Sequence, residues 1–395
     1  LCNDAGEGEY GDLTGSISAD FTQPWFFSPR TSISASLFAE RQSIAPIFVR
    51  EGLGMSLGLS RTLAPATLLT FSYRPQLSSL TAAEVFFCSA YLICEPGEIR
   101  LLQQTNRLSP VGLSFSRDRR NQALSPTRGY SAVVSMEHAG DWTGSDFRYS
   151  RLISEGTWYN RPTSRLVVAA RLRGGLVIPR GFKGLEENQG GGGIVHPEKR
   201  LFAGGSNSVR GFSQNRLGPR VLYLEDVERL IQSSENEDGP CTAAQVADLS
   251  CDAGSLKDGE FFPSPTGGTR LLEGSLEVRF PLSRQRWEAA TFLDFGQVWG
   301  EEVSPRLADV ELTPGVGIRY FSPIGPIRVD LGYRFVDGER LPVVTRGVLP
   351  APSEDPGYEK SKDLVVLDTP VLFGEGLGTW SFRRFQLHLS IGQAF

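Results

Sequence analysis

The sequence predicts an all-β protein built as an antiparallel transmembrane β-barrel, and three observations lead to this prediction. Short segments in which apolar and polar residues alternate recur along the 395 residues. The connections between them alternate between short and long, which is typical of barrels with short turns at one rim and long loops at the other. The chain also ends on Phe395 within such a segment, which would place an aromatic side chain at the membrane interface.

Alternation is clearest in residues 327–335, where odd positions are apolar or aromatic and even positions are Arg, Asp or Gly. Because successive side chains of a strand point to opposite faces, this segment has one apolar and one polar face. A soluble sandwich alternates in the same way, but the sequence has no helical pattern to cover so many apolar faces. The same pattern predicts thirteen strands, at 13–21, 32–41, 53–59, 67–73, 111–117, 130–139, 147–159, 165–177, 271–280, 288–299, 315–320, 327–335 and 385–395.

Successive connections along the chain alternate between a short series and a series that contains the long ones. Short ones are predicted near 27–31, 63–66, 118–128, 160–164, 281–287 and 322–326. The opposite series contains the long connections 77–108, 178–269 and 337–384, with shorter members near 44–50, 140–146 and 300–312. A soluble meander has no reason to alternate short and long connections, so this alternation favours a membrane barrel across residues 1–395. Bacterial single-chain barrels usually have even strand numbers, so thirteen strands lead us to expect further strands upstream.

Composition argues against several classes of function. The formal net charge is -5, and no basic block indicates a nucleic-acid partner. The three histidines are scattered, and no Ser/His/Asp group indicates an enzyme, so we expect no catalytic site, no metal and no cofactor. Charged residues on the predicted lumenal face are expected to form a solvated, mutually paired lining. These residues are Arg171, Arg173, Glu273, Glu277, Arg279, Arg328 and Asp330.

Four of the five cysteines form two close pairs in predicted loops, Cys88 with Cys94 and Cys241 with Cys251. In an oxidising compartment such pairs predict disulfides. A zinc site is the alternative, but no histidine lies near either pair. Cys2 is left over, and the sequence does not fix whether it has a partner.

The stretch 201–220, LFAGGSNSVRGFSQNRLGPR, lies in the longest predicted loop, 178–269. It is too rich in turn residues for a long strand or helix. On the predicted strand 288–299, Asp294 points into the lumen, where a carboxylate and a guanidinium can form a bidentate pair that is strengthened by exclusion of water. We therefore predict that the loop folds into the barrel and that Arg210 pairs with Asp294.

These motifs resemble those of the BamA/TamA superfamily of outer-membrane assembly barrels. The family's V/I-R-G-F/Y loop signature matches Val209, Arg210, Gly211 and Phe212. Its F-x-D-x-G strand motif, whose Asp pairs with the loop Arg, matches Phe292, Asp294 and Gly296. The hairpin 315–330 and the last strand, from Phe385 to Phe395, are also similar to the family's pattern.

The resemblance implies a 16-stranded barrel whose signature loop joins the eleventh and twelfth strands. Residues 271–280 would be the twelfth strand and 13–21 the fourth, so the first three strands and the POTRA domains would be absent from this chain. It also implies a protein of the bacterial outer membrane that inserts or folds other β-barrel proteins. Its partners would be outer-membrane lipids, unfolded barrel substrates and periplasmic chaperones or accessory lipoproteins. A two-partner secretion pore, which shares the loop motif, and a plain porin are the alternatives.

Overall fold

The alternating segments form a large antiparallel sheet in a computed structural model, which describes residues 14–44, 48–82, 96–185, 194–232, 236, 238–282, 286–301, 303–323, 325–335, 338–350, 358–374 and 382–395. In chain order its strands are β1 (Gly15–Gln23), β2 (Thr31–Ile44), β3 (Phe48–Ala64), β4 (Thr67–Tyr73), β5 (Gln76–Ala82), β6 (Asn106–Leu108), β7 (Val111–Asp118), β8 (Gly129–Ala139), β9 (Phe147–Thr163), β10 (Leu166–Phe182), β11 (Arg220–Leu224), β12 (Phe262–Pro265), β13 (Arg270–Pro281), β14 (Trp287–Trp299), β15 (Glu311–Ser322), β16 (Gly325–Tyr333), β17 (Glu339–Leu341), β18 (Val343–Pro350), β19 (Tyr358–Val366), β20 (Val371–Phe373) and β21 (Phe385–Ile391). The described connections also contain the helices α1 (Pro96–Gln103) and α2 (Ala243–Ala247), and 3-10 helices at Asp141–Thr143, Pro197–Lys199, Val227–Leu230, Asp258–Glu260, Leu307–Asp309 and Phe382–Arg384. None of the helices described is long and apolar enough to cross a membrane.

Thirteen strands form the main wall, in the order β1-β2-β3-β4-β7-β8-β9-β10-β13-β14-β15-β16-β21. Each of the thirteen predicted strands overlaps one of them, so the prediction of an all-β antiparallel architecture with about thirteen strands is confirmed. The short β5 and β6 extend the wall from β3. Within the described residues β1 and β21 do not pair with each other, and they are the two edges of an open sheet.

Burial across the wall is the reverse of that in a soluble protein. On β16, the apolar side chains of Val329 and Leu331 are exposed, whereas Arg328 and Asp330 are fully buried. Apolar residues outside and charged residues inside are typical of a barrel wall that faces lipid.

The lumenal charges are paired, but the expectation that they are solvated is wrong. Five of them, Glu273, Glu277, Arg279, Arg328 and Asp330, are at most 2% exposed. Only Arg171 and Arg173 of the predicted set are half-buried. The reason is that residues 194–217, which we call the lumenal loop, occupy the inside of the wall and exclude water from these side chains.

The connections follow the predicted alternation. The turns 24–30, 65–66, 119–128, 164–165, 282–286 and 323–324 lie at one end of the strands, which we call the turn rim. The long connections lie at the opposite end, the loop rim. The two rims therefore differ in the length of the connections that they carry.

A second, four-stranded sheet lies at the loop rim and was not predicted. Its order is β12-β11-β18-β19, and β11 and β18 pair in parallel through Leu222 and Val343. These strands come from two different connections, one before β13 and one after β16. Their core also contains the 3-10 helix Val227–Leu230 and a disulfide between Cys241 and Cys251, with an S–S distance of 2.06 Å. Cys2, Cys88 and Cys94 lie outside the described residues.

The last strand ends at Ile391, four residues earlier than predicted. Gly392 adopts a φ of 105°, which turns the chain away from the strand direction. Phe395 then packs near Tyr159, with 6.2 Å between ring centroids, and one of its main-chain oxygens accepts a 2.7 Å hydrogen bond from the Tyr159 hydroxyl. Tyr159 is buried on the inner face of β9. Phe395 therefore turns towards the inside of the wall, and its predicted position at the membrane interface is wrong.

Candidate functional site

The lumenal loop is held inside the wall by an apolar cluster. Val209, Phe212 and Leu217 of the loop are buried together with Leu271 and Val298 of the wall. The loop reverses direction between Gly205, whose N–H donates to the Phe212 carbonyl over 2.9 Å, and Phe212 itself. This reversal projects Arg210 towards β13 and β14.

Arg210 is 1% exposed, and its guanidinium contacts three carboxylates of the wall. Its Nε and Nη2 donate to the two oxygens of Asp294 over 2.7 and 2.8 Å, and its main-chain N–H donates to the same carboxylate over 3.0 Å. Its Nη1 donates to Glu277 over 2.8 Å and lies 3.5 Å from Asp330. The structure thus brings Arg210 and Asp294 together. Sequence reasoning placed Glu277 and Asp330 in the lumen but missed them as partners of Arg210.

The strand motif of β14 also provides an aromatic surface for the arginine. The guanidinium carbon of Arg210 lies 3.4 Å from the centroid of the Phe292 ring, which is a cation–π contact between two buried side chains. Two residues beyond Asp294, a side chain at Gly296 would place its Cβ 2.9 Å from Cγ2 of Val209. All three positions of this motif therefore contact the loop signature. Gly211 approaches Thr313, and Phe212 is buried.

The charges around Arg210 form one connected network. Glu277 also accepts 2.6 Å hydrogen bonds from Arg279 and Arg319. Arg328 lies 3.2 Å from Asp330 on the same strand. Burying ions costs free energy unless each finds partners, and here cations and carboxylates alternate in space. Removal of Arg210 would take from Asp294 the cation that it is paired with.

A second attachment of the loop lies on the opposite wall, and sequence reasoning missed it. Glu198 lies 3.0 Å from Nε of Arg50, a residue of β3 that is 2% exposed. Lys199 lies 3.1 Å from Glu137 of β8. The lumenal loop therefore spans the inside of the wall and is fixed to both sides of it. The adjacent charges in residues 194–200 were the only signal in the sequence.

Two ionisable groups at this second attachment have shifted pKa values. His196 is completely buried, and burial lowers its pKa to about 3. Burial opposes ionisation of Glu198 as well, but the cations of Lys199 and Arg50 outweigh it and lower the pKa of Glu198 to about 2. At neutral pH His196 is therefore neutral and Glu198 is charged.

The last strand contacts the same loop. His388 Nε2 lies 3.0 Å from the Arg210 carbonyl oxygen, and the Ser213 hydroxyl donates to Gln386 over 2.9 Å. Arg328 joins the two by donating to Ser390 of β21 and to the Ser206 carbonyl of the loop, each over 2.9 Å. Phe385 packs against Tyr333 of the neighbouring strand, with 5.2 Å between ring centroids. The edge strand β21 is therefore linked directly to the loop signature.

Comparison with known proteins gives a consistent result. Residues 5–395 match the Omp85 superfamily domain. The outer membrane protein assembly factor BamA of Neisseria meningitidis serogroup B is 25% identical over 237 residues, which are 56% of this chain and 26% of that protein. The sorting and assembly machinery component 50 homolog of Bos taurus is 31% identical over 112 residues, 28% of this chain and 22% of that protein. The chain thus spans about a quarter of the length of these curated relatives.

The fold has a counterpart among solved structures. The crystal structure of BamA from Haemophilus ducreyi lacking POTRA domains 1-3 aligns with a TM-score of 0.57 and 17% identity. The alignment covers 90% of this chain and 62% of that one. At this identity the likeness concerns the fold.

Proposed function

The chain belongs to the Omp85 superfamily, and from this we propose that it inserts and folds β-barrel proteins in the bacterial outer membrane. One relative named above is an outer membrane protein assembly factor, and the other is a homolog of a component of a sorting and assembly machinery. The observation that carries the proposal is the position of Arg210. It is fixed to β13 and β14 by its side chain and to the edge strand β21 by its carbonyl oxygen.

The proposed mechanism uses the edge strand β21, which is held by β16 and by the lumenal loop and has one side without a partner strand within the described residues. An edge strand offers unpaired N–H and C=O groups to an incoming strand. Within the described residues, β21 pairs with β16 on one side only. We propose that a substrate strand pairs with the other side while His388 and Arg328 hold β21 against the lumenal loop. The Arg210–Asp294 pair, which we call the latch, would keep the loop in place as the edge exchanges partners.

The partners follow from the same proposal. Unfolded outer-membrane β-barrel proteins would be the substrates, and outer-membrane lipids would surround the exposed apolar face of the wall. Periplasmic chaperones or accessory lipoproteins would deliver the substrates. The role requires strand pairing and no bond-making chemistry, so it is not enzymatic.

Insertion into liposomes tests the proposal. The full-length protein is reconstituted, a urea-denatured outer-membrane barrel is added, and folded product is followed by its altered mobility in unheated gels. We expect faster folding than with empty liposomes, and slower folding with Arg210→Ala than with the control Arg41→Ala. Equal rates with and without the protein would refute the proposal. Protease-resistant but unfolded polypeptide inside the vesicles would instead identify a secretion pore, and solute leakage alone would identify a porin.

A further inference from the structure

The six turns of the turn rim have an unusual charge composition. The connections 24–30, 65–66, 119–128, 164–165, 282–286 and 323–324 contain seven Arg and no Asp, Glu or Lys. At the loop rim, by contrast, the connection 140–146 contains two Asp and no basic residue. A chain with a net charge of -5 thus presents four cationic turns, two uncharged turns and no acidic turn at one end of its strands.

Most of these arginines are free to bind an external anion. Arg120 is paired with Asp118 over 2.7 Å. The side chains of five others are exposed, and within the described part of the chain none of them forms an ion pair. These five residues are Arg30, Arg119, Arg128, Arg165 and Arg286. Arg61 and Arg161, at the rim ends of β3 and β9, are exposed as well.

The arginines lie directly beyond a belt of aromatic side chains. Tyr130, Trp158 and Trp287 are exposed on the outer face of the wall, and Tyr130 and Trp158 are opposite each other on β8 and β9. Such belts lie at the level where lipid headgroups begin. Arg128 precedes Tyr130 by two residues and Arg286 precedes Trp287 by one, so both guanidinium groups lie on the rim side of the belt.

From this arrangement we propose that the turn rim binds the phosphate groups of anionic phospholipids in the leaflet that it faces. Guanidinium groups bind phosphate oxygens in a bidentate manner, and their aliphatic stems can lie along apolar surface while the charged ends reach the headgroups. The arginines lie in four turns that are spread between β1 and β14, so the ligand is a row of several headgroups along the rim. The inference rests on the position of the wall in a membrane and is independent of any assembly activity.

A row of this kind fits lipid better than it fits an acidic protein domain. A domain docked beneath the wall would require cations grouped on one side, whereas Arg30 and Arg286 lie in turns that are separated by eight strands of the wall. The aromatic belt also faces outwards, away from anything bound beneath the lumen. The spread of the arginines and the outward-facing aromatic belt therefore both favour lipid headgroups as the ligand.

Lipid retention provides the test. The full-length protein is placed in nanodiscs of phosphatidylcholine and phosphatidylglycerol in equal amounts, extracted in mild detergent, and analysed for retained lipids by native mass spectrometry. We expect several-fold enrichment of phosphatidylglycerol, and loss of the enrichment when Arg119, Arg128, Arg161 and Arg165 are all changed to Gln. The same four positions changed to Lys should keep most of it, and Arg340→Gln at the loop rim should change nothing.

Three results would overturn the inference. One is equal retention of the two lipids by the unchanged protein. Another is undiminished enrichment in the four-Gln variant, once gel mobility has shown that this variant is folded. The third is loss of enrichment on addition of inorganic phosphate at physiological concentration, which would identify a site for free phosphate instead of for lipid.

Discussion

The main-chain oxygen of Arg210 lies 3.0 Å from Nε2 of His388, so a buried loop residue is joined to an edge strand of the wall. The side chain of Arg210 points the other way, to Asp294 and Glu277. One residue therefore connects β13 and β14 with β21. We therefore expect movement of the edge strand and release of the loop to be coupled.

His388→Ala should loosen this coupling. The hydrogen bond to Arg210 is lost, which costs about 1 kcal/mol of unfolding free energy for a bond between uncharged groups. Maleimide labelling of a cysteine introduced at Ser213 should become faster, because the loop is held less tightly to β21. Leu387→Ala, on the outward face of the same strand, is the control. Unchanged labelling in the His388 variant would show that the contact does not hold the loop.

Arg210→Ala should be strongly destabilising. It leaves Asp294 and Glu277 buried without their shared cation, and breaking a buried pair costs about 3–5 kcal/mol. Arg210→Lys should recover only part, since one ammonium group cannot replace the fork of the guanidinium. Thermal unfolding measured by gel mobility gives the comparison, with the exposed Arg41–Glu51 pair as control, where Arg41→Ala should cost about 0–1 kcal/mol.

An exchange of charges between positions 210 and 294 should not restore stability. It would restore a simple pair, but Arg210→Asp would add a carboxylate beside Glu277 and Asp330. Full recovery in the variant that combines Arg210→Asp with Asp294→Arg would contradict the three-carboxylate arrangement.

Gly296→Ala should displace Val209 from its place against β14. The new Cβ would lie 2.9 Å from Cγ2 of Val209, and overpacking of this kind costs about 1–3 kcal/mol. Combination with Val209→Ala removes the clashing methyl group, so the two changes together should cost less than their sum. Gly300→Ala, where a Cβ meets no atom within 4 Å, is the matched control. Strictly additive unfolding free energies would refute the close contact.

Acid should weaken the second attachment. The unfolded chain protonates His196 near its ordinary pKa of 6.5, whereas the folded protein does so only near 3. For Glu198 the corresponding values are 4.5 and about 2. In both ranges the unfolded state binds more protons, so stability falls as the pH is lowered from about 6.5. His196→Gln should flatten the decline between 6.5 and 4.5 in a series of thermal unfolding midpoints, and an unchanged slope would contradict the assignment.

The strand pattern and the inner-face position of Asp294 could be anticipated because both depend on local rules, and the resemblance of two motifs to the family's pattern indicated Arg210 as the partner. Alternation shows which face of a strand is apolar. Asp294 is assigned to the inner face because alternate residues of a strand share a face and its neighbours Leu293 and Phe295 lie on the apolar one. Glu277 and Asp330 fall there too, but their contact with Arg210 depends on the register of β13 and β16 relative to β14. Alternation within single strands does not specify that register.

Other features depend on contacts between distant segments. The parallel pairing of Leu222 with Val343 joins residues 121 positions apart in two connections without a clear strand pattern. The inward turn of Phe395 depends on Tyr159, which lies on the other side of the wall. The burial of the lumenal charges depends on how much of the lumen the loop fills. Such effects follow from tertiary packing, which single-segment patterns do not encode.

The pairing of β11 with β18 has a mechanical consequence. Strands β13, β14, β15 and β16 lie between these two along the chain. These four strands and the four-stranded sheet β12-β11-β18-β19, here called the outer sheet, therefore form a closed circuit of covalent and hydrogen-bonded links. Splaying these four strands would stretch the outer sheet, in which Leu222 and Val343 are completely buried. We therefore expect deformation of the wall to be concentrated outside this circuit, along β1 to β10 and at the free side of β21. On this expectation Arg210 contacts the stiff strands β13 and β14, and the edges belong to the strands that deform more easily.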